Sequence, residues 1–174
     1  MDLSYPIGKF APPDAVGPDE RHEWIDILAA APARLRAAVD GLTALQLDTP
    51  YRPNGWTVRQ VVHHLADSHM HSYIRYRLAL TEENPTIKPY DQEKWAELPD
   101  ARSGLVETSL VLLEGMHSRW VALLQSMSAT DFERTFFHPE RGQVRLDATL
   151  ALYAWHCRHH ESHITGLRQR MDWS

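Results

Sequence analysis

The sequence predicts an all-α fold, a four-helix bundle joined by long loops. Three observations carry that expectation. Four segments repeat apolar residues at helical spacing. Proline, glycine and a capping box mark the boundaries between them. No two runs of alternating apolar and polar residues face each other across a turn, so no sheet is expected. The length of 174 residues suits a single domain, 1–174, with a sizeable core.

Residues 1–18 read as an extended N-terminal arm, because Pro6, Pro12, Pro13 and Pro18 with Gly8 and Gly17 oppose a helix. Its Tyr5, Ile7 and Phe10 need a surface to cover. The first helix is expected from about Asp19 to Gly41, with Trp24, Ile27, Leu28, Leu35 and Val39 as its stripe. Pro32 lies inside it and should kink or break it. After a loop over 42–56, Thr57 with Gln60 forms a capping box and opens the second long helix. That helix should stop near Glu82, before Asn84-Pro85. The connection 84–102 holds Pro85, Pro89 and Pro99, and Tyr90 and Trp95 are expected to tuck against the bundle. Connections beyond about 15 residues are often functional. A third helix is expected over 103–127, on Leu105, Leu112, Leu113, Met116, Trp120, Leu123 and Leu124. A loop over 128–144 follows. Asp147 is the expected N-cap of the last helix, which runs to about Arg170.

The net charge of −5 and the lack of a Lys/Arg cluster argue against a nucleic-acid partner. No run of about 18 apolar residues exists, so no membrane span is expected. Met1 to Pro6 lacks the basic and apolar regions of a signal peptide. Cys157 is the one cysteine. A lone thiol forms no internal disulfide, which suits a reducing, cytoplasmic setting. The expected partner is a small-molecule substrate.

The unusual feature is eleven histidines, most of them clustered. The last helix reads Trp155-His156-Cys157-Arg158-His159-His160-Glu161-Ser162-His163-Ile164. With about 100° per residue and His156 at zero, His160 falls at about 40°, His163 at about 340° and His159 at about 300°. The apolar residues centre at about 60°. His156 and His160 therefore lie nearest the core, and His163 and His159 progressively further out. An i, i+4 pair of imidazoles can converge on one ion at about 2.0–2.1 Å. The second long helix reads Val62-His63-His64-Leu65-Ala66-Asp67-Ser68-His69-Met70-His71. Its stripe points His69 inward, leaves His64 at the flank and turns His63 further round. Periodicity on that helix selects His69, not His64. His117 reads as packing, His22 and His138 as surface residues, and Cys157 as a buried inert thiol. Asp67, His71 and Glu161 are candidates for a general base or for partners of a ligand's other ring nitrogen.

These residues also resemble a known family. Leu3-Ser4-Tyr5-Pro6-Ile7-Gly8, the stretch from Gly55-Trp56-Thr57 through His63-His64-Leu65-Ala66-Asp67 to His69, Pro89-Tyr90-Asp91, and Trp155-His156 through His163 are similar to the YfiT branch of the DinB/YfiT-like superfamily. The resemblance spans essentially the whole chain. It implies a DinB-like four-helix bundle and a metal held by three histidines: the one before Leu-Ala, here His64, and the two on the last helix, His156 and His160. It also implies a homodimer, which the apolar arm independently suggests.

Three imidazoles with an open fourth position form a catalytic pattern. A metal held so lowers the pKa of a bound water to about 7. The expectation is a metal-dependent hydrolase with one divalent transition metal ion, zinc or nickel. The resemblance implies an alternative, since other DinB-like proteins are similar to enzymes that transfer a low-molecular-weight thiol of the bacillithiol type; Arg59, Arg75 or Arg158 would be the cations for its carboxylates. The third reading is a non-catalytic metal-binding bundle.

Overall fold

The computed structural model describes residues 2–13 and 15–173. Four long helices form the bundle: α1 (Pro18–Val39), α3 (Val58–Thr81), α6 (Val106–Ser126) and α8 (Leu146–Arg170). Short helices α2 (Ala44–Leu47), α4 (Gln92–Ala96), α5 (Pro99–Ser103) and α7 (Ala129–Phe132) occupy the connections. Both α1 and α3 pack against α6 and α8. The two helices richest in histidine, α3 and α8, are thus neighbours around the bundle. No described helix is long and apolar enough to cross a membrane.

The capping box opens α3 as expected. Gln60 N donates to Thr57 Oγ1 at 3.2 Å, and Thr57 N donates to Gln60 Oε1 at 2.9 Å. Gln60 Nε2 also donates to Ala96 O at 2.8 Å, which ties α4 to the start of α3. The helix ends where Asn84 adopts a positive φ of 44° ahead of Pro85.

Several expectations are corrected. Pro32 does not break α1, which continues through it. Proline removes the hydrogen bond to the carbonyl four residues earlier, Leu28 O. That acceptor is taken instead by His117 Nδ1 at 2.7 Å, so no polar group is orphaned at the site of the missing bond. Asp147 is not the N-cap of α8. Arg145 holds that place, and Asp147 sits in the first turn, accepting from Ala148 N at 2.7 Å and pairing with the Arg145 guanidinium. On α6 the buried stripe runs through Leu110, Leu113, Met116, Trp120 and Leu124, while Leu105 and Leu112 are exposed.

A strand pair exists despite the expectation of none. β1 (Thr135–His138) and β2 (Gly142–Arg145) form an antiparallel hairpin with Phe136 opposite Val144. Four-residue strands give too short an alternation to detect: Phe136 is buried and its neighbour Phe137 exposed. The hairpin buries His138, expected at the surface, and the connection over 84–102 docks on it through Ile87 N to Phe137 O.

The core forms two clusters. One gathers Leu28, Tyr76, Trp120, Leu124, Leu146 and Leu150. The other gathers Val58, Val61, Val62, Leu65, Leu113 and Ile164. The N-terminal arm covers α8 of its own chain. Phe10 packs on Trp155 with ring centroids 5.9 Å apart, and Tyr5 on His159 at 5.8 Å.

Candidate metal centre

Helix α3 turns His64 towards α8, where His156 and His160 sit one turn apart. Their rings converge. Centroids of His156 and His160 are 4.4 Å apart, and those of His64 and His160 are 4.9 Å apart. One nitrogen from each of the three lies within 4.8 Å of the others. His64 Nε2 is 3.3 Å from His156 Nε2. Two nitrogens bound at about 2.0–2.1 Å on a tetrahedral ion stand about 3.3 Å apart, so this pair fits a small divalent metal. His64 and His160 are buried and His156 is intermediate in exposure. Burial lowers His64 to about 4. Burial, and then the neighbouring imidazoles, push His156 and His160 well below the ordinary value. All three are neutral at pH 7, the form that ligates.

His159, His160 and His163 make a second close group, again within 4.8 Å. The wheel puts His163 and His159 further from the apolar centre than His156 and His160, yet both are buried. It counted only the stripes of the long helices, and other segments cover this flank. Trp155 stacks on His159 at 4.3 Å and Tyr51 on His163 at 3.9 Å. The Ser4 carbonyl of the arm lies 3.3 Å from His163 Nε2, and His163 Nδ1 faces His160 Nδ1 at 3.4 Å. Both nitrogens of His163 are thereby engaged with neighbours, while His160 Nε2 remains for the first group.

His69 points inward, as its stripe requires, and is only 1% exposed. Its nitrogens go to other imidazoles: Nδ1 to His117 Nε2 at 2.8 Å, Nε2 to His156 Nδ1 at 3.1 Å. His69 thus stands behind His156, and His64 stands beside it. His63 faces Ser109 Oγ at 2.7 Å and Gly104 O at 3.3 Å, away from the group.

The remaining candidates lie elsewhere. Glu161 pairs with Arg34 through two bonds of 2.8 Å. His71 Nδ1 donates to Asp67 O at 2.8 Å, and its ring stacks on Tyr90 at 4.2 Å beside Trp95, the two loop aromatics expected to dock. Asp67 is half-buried, and burial, then Asp100, raises it to about 6. Burial pushes the Cys157 thiol up to about 12, so it is an inert core group. Arg59 is held by Asp48 and Gly104 O, and Arg158 by Glu23. A groove of about 780 Å³ between α1 and α6 is lined by Ala29, Pro32, Arg36 and His117, away from His64, His156 and His160.

What sequence reasoning missed is the set of supporting contacts. Among these, His69 and His117 carry a signal, as histidines at inward positions of α3 and α6.

Fold and site together define a class: a four-helix bundle that can bind a divalent metal among histidines of two neighbouring helices. Residues 27–164 match the family model of the DinB superfamily, and the chain belongs to that family. It is 56% identical over 172 residues, 99% of both chains, to a protein of Bacillus cereus strain 03BB102 that is named, provisionally, a metal-dependent hydrolase. A protein of Bacillus thuringiensis subsp. konkukian strain 97-27 is equally similar, 56% identical over 99% of both chains, and carries the same provisional name. Among solved structures, YfiT from Bacillus subtilis, described as a probable metal-dependent hydrolase with an unusual four-helix bundle topology, matches with a TM-score of 0.97 at 50% identity over 100% of each chain. TT2238, a four-helix bundle protein, shares the fold at a TM-score of 0.59 and 20% identity, over 84% of this chain and 98% of that one.

Proposed function

We propose that this protein is a metal-dependent hydrolase that holds one divalent transition metal, zinc or nickel, on His64, His156 and His160. The observation that carries the reading is the convergence of three neutral imidazoles from two helices, with a 3.3 Å Nε2–Nε2 separation between His64 and His156. The names of the relatives, 56% identical over nearly the whole chain, point the same way. An imidazole donor set suits zinc or nickel better than calcium or magnesium, which take oxygen ligands.

When bound, such a metal supplies a Lewis acid that makes a water acidic near neutral pH. The chain's own residues prepare the place for it. Burial keeps the three rings unprotonated. The indole of Trp56 packs against His64 with centroids 4.7 Å apart, and the Tyr153 ring flanks His156 at 5.4 Å, so aromatic side chains fix the positions of both rings. The substrate that this reading calls for is a small molecule.

The test is metal stoichiometry after dialysis, followed by hydrolysis of a panel of chromogenic esters, amides and phosphoesters. One equivalent of zinc or nickel should be retained by the wild type and lost by His156→Ala and by His160→Ala. Retention by both variants overturns the site. Turnover of a low-molecular-weight thiol conjugate, with none of the hydrolytic substrates cleaved, would reassign the reaction to thiol transfer.

A further inference from the structure

Behind His156 the bundle holds a row of imidazoles that ends on a backbone carbonyl. His117 Nδ1 lies 2.7 Å from Leu28 O. His117 Nε2 lies 2.8 Å from His69 Nδ1, and His69 Nε2 lies 3.1 Å from His156 Nδ1. A carbonyl oxygen only accepts, so the first proton must sit on His117 Nδ1. A neutral imidazole carries one N–H, and its other nitrogen accepts. His117 Nε2 is then an acceptor, and the next proton belongs to His69 Nδ1. His69 Nε2 accepts in turn, and His156 Nδ1–H donates to it. His156 Nε2, the nitrogen that faces His64, is left as a bare lone pair. The row lies in the bundle core, with His69 1% and His117 2% exposed and no carboxylate in it, and a charged ring buried without a counter-ion is costly, so the rings are neutral.

The anchor of this row is written into the sequence. Within α1 the Leu28 carbonyl would ordinarily accept from the N–H of residue 32. Pro32 has no N–H, so the acceptor is released to His117. A second, looser row stands behind His160. His163 Nε2–H donates to the Ser4 carbonyl at 3.3 Å, so His163 Nδ1 accepts from His160 Nδ1–H at 3.4 Å. The proton on His160 is again on Nδ1, and Nε2 is bare. This anchor is a carbonyl of the N-terminal arm.

We infer that the two carbonyl-anchored rows are positioning devices: His117 and His69 hold His156, and His163 holds His160, as the Nδ1–H tautomer with Nε2 presented unprotonated to the metal. The inference rests on the metal reading proposed above. A histidine side chain in water prefers the Nε2–H tautomer, so without the rows each ligand would carry its proton on the nitrogen that has to bind. Partners of this outer kind typically change metal affinity by about 10- to 100-fold.

The test uses the full chain, ¹⁵N-labelled and metal-free, at pH 8. Two-bond ¹H–¹⁵N correlation spectra report which nitrogen of each ring carries the proton. His117, His69, His156 and His160 should show protonated Nδ1 and bare Nε2, and His163 the reverse. A protonated Nε2 on His156 or His160 overturns the inference whether or not metal binds. The metal reading fails separately, if the wild-type chain takes up neither zinc nor nickel. His117→Leu is then compared with His117→Gln, whose amide can both donate to Leu28 O and accept from His69. The leucine variant should bind zinc about 10- to 100-fold more weakly, with a mixed His156 tautomer, and glutamine should recover most of the loss. Wild-type affinity in His117→Leu overturns the inference. If that variant fails to fold, the wild-type spectrum decides alone.

Discussion

Lowering the pH should destabilise the metal-free protein steeply, because its buried histidines are neutral and the unfolded chain would protonate them. His64 and His117 set the scale. Burial lowers each from 6.5 to about 4. In the unfolded chain both return to about 6.5. A base with a lowered folded pKa takes up its proton on unfolding. Its contribution is therefore intact above about pH 6.5 and is lost as the pH falls towards the folded value. At pH 5 the unfolded ring is almost fully protonated and the folded ring is not, a cost of about 2 kcal/mol per histidine. The two together cost about 4 kcal/mol, against a total stability of about 5–15 kcal/mol for a domain. His69, His156 and His160 add to the loss, since burial lowers all three further. Asp67 opposes it: raised to about 6, it binds its proton more readily in the folded chain. The assay is urea unfolding followed by helical circular dichroism, at pH 7.5 and pH 5.0, with a chelator present. With a slope of about 2 kcal/mol per molar urea, the midpoint should fall by about 2 M or more at pH 5.0. A shift below about 0.5 M would refute the reasoning, because it would mean the buried rings are charged or solvated in the folded state.

Three further outcomes are expected. Alanine at His64, His156 or His160 should lower zinc affinity by orders of magnitude in competition with a chromophoric chelator, while His63→Ala should leave it nearly unchanged, since that ring faces Ser109 and Gly104. The Cys157 thiol, pushed up to about 12, should stay unreactive towards Ellman's reagent at pH 8 in the folded protein and react promptly in urea. Pro32→Ala should leave the melting temperature unchanged or higher, since alanine favours the helix, yet weaken zinc binding severalfold by giving Leu28 O a competing donor.

The bundle was legible because its four long helices obey a 3.6-residue period and are cut by proline, glycine and a cap. The hairpin over 135–145 was not, since an alternation of four residues is too short to rise above loop sequence. The burial of His159 and His163 was hidden for a different reason. A helical wheel shows where a side chain points, and cannot show that Ser4, Tyr5 and Tyr51 from remote segments fold over that side. Pro32 misled in an instructive way. Its missing N–H predicts a kink or a break, whereas the helix runs on and His117, 85 positions further along the chain, supplies the replacement donor.

The contrast between His64 and His69 shows what periodicity can and cannot decide. Both lie on α3 and both are buried, at 5% and 1% exposure. A wheel ranks them by depth and selects His69. Depth, however, is not what a metal ligand needs. It needs a lone pair left free to face the other ligands, and His64 turns its Nε2 to His156 Nε2 while both nitrogens of His69 are taken by other rings. His64 meets His156 and His160 across the α3–α8 seam. His69, one layer deeper, meets His156 from behind and His117 across the core, and both its nitrogens are occupied. On α3, under the metal reading proposed above, the central position suits a residue that orients a ligand, and the flanking position suits the ligand itself. On α8 the order is reversed: His156 and His160, nearest the apolar centre, face His64, while His163, further round the helix, backs His160.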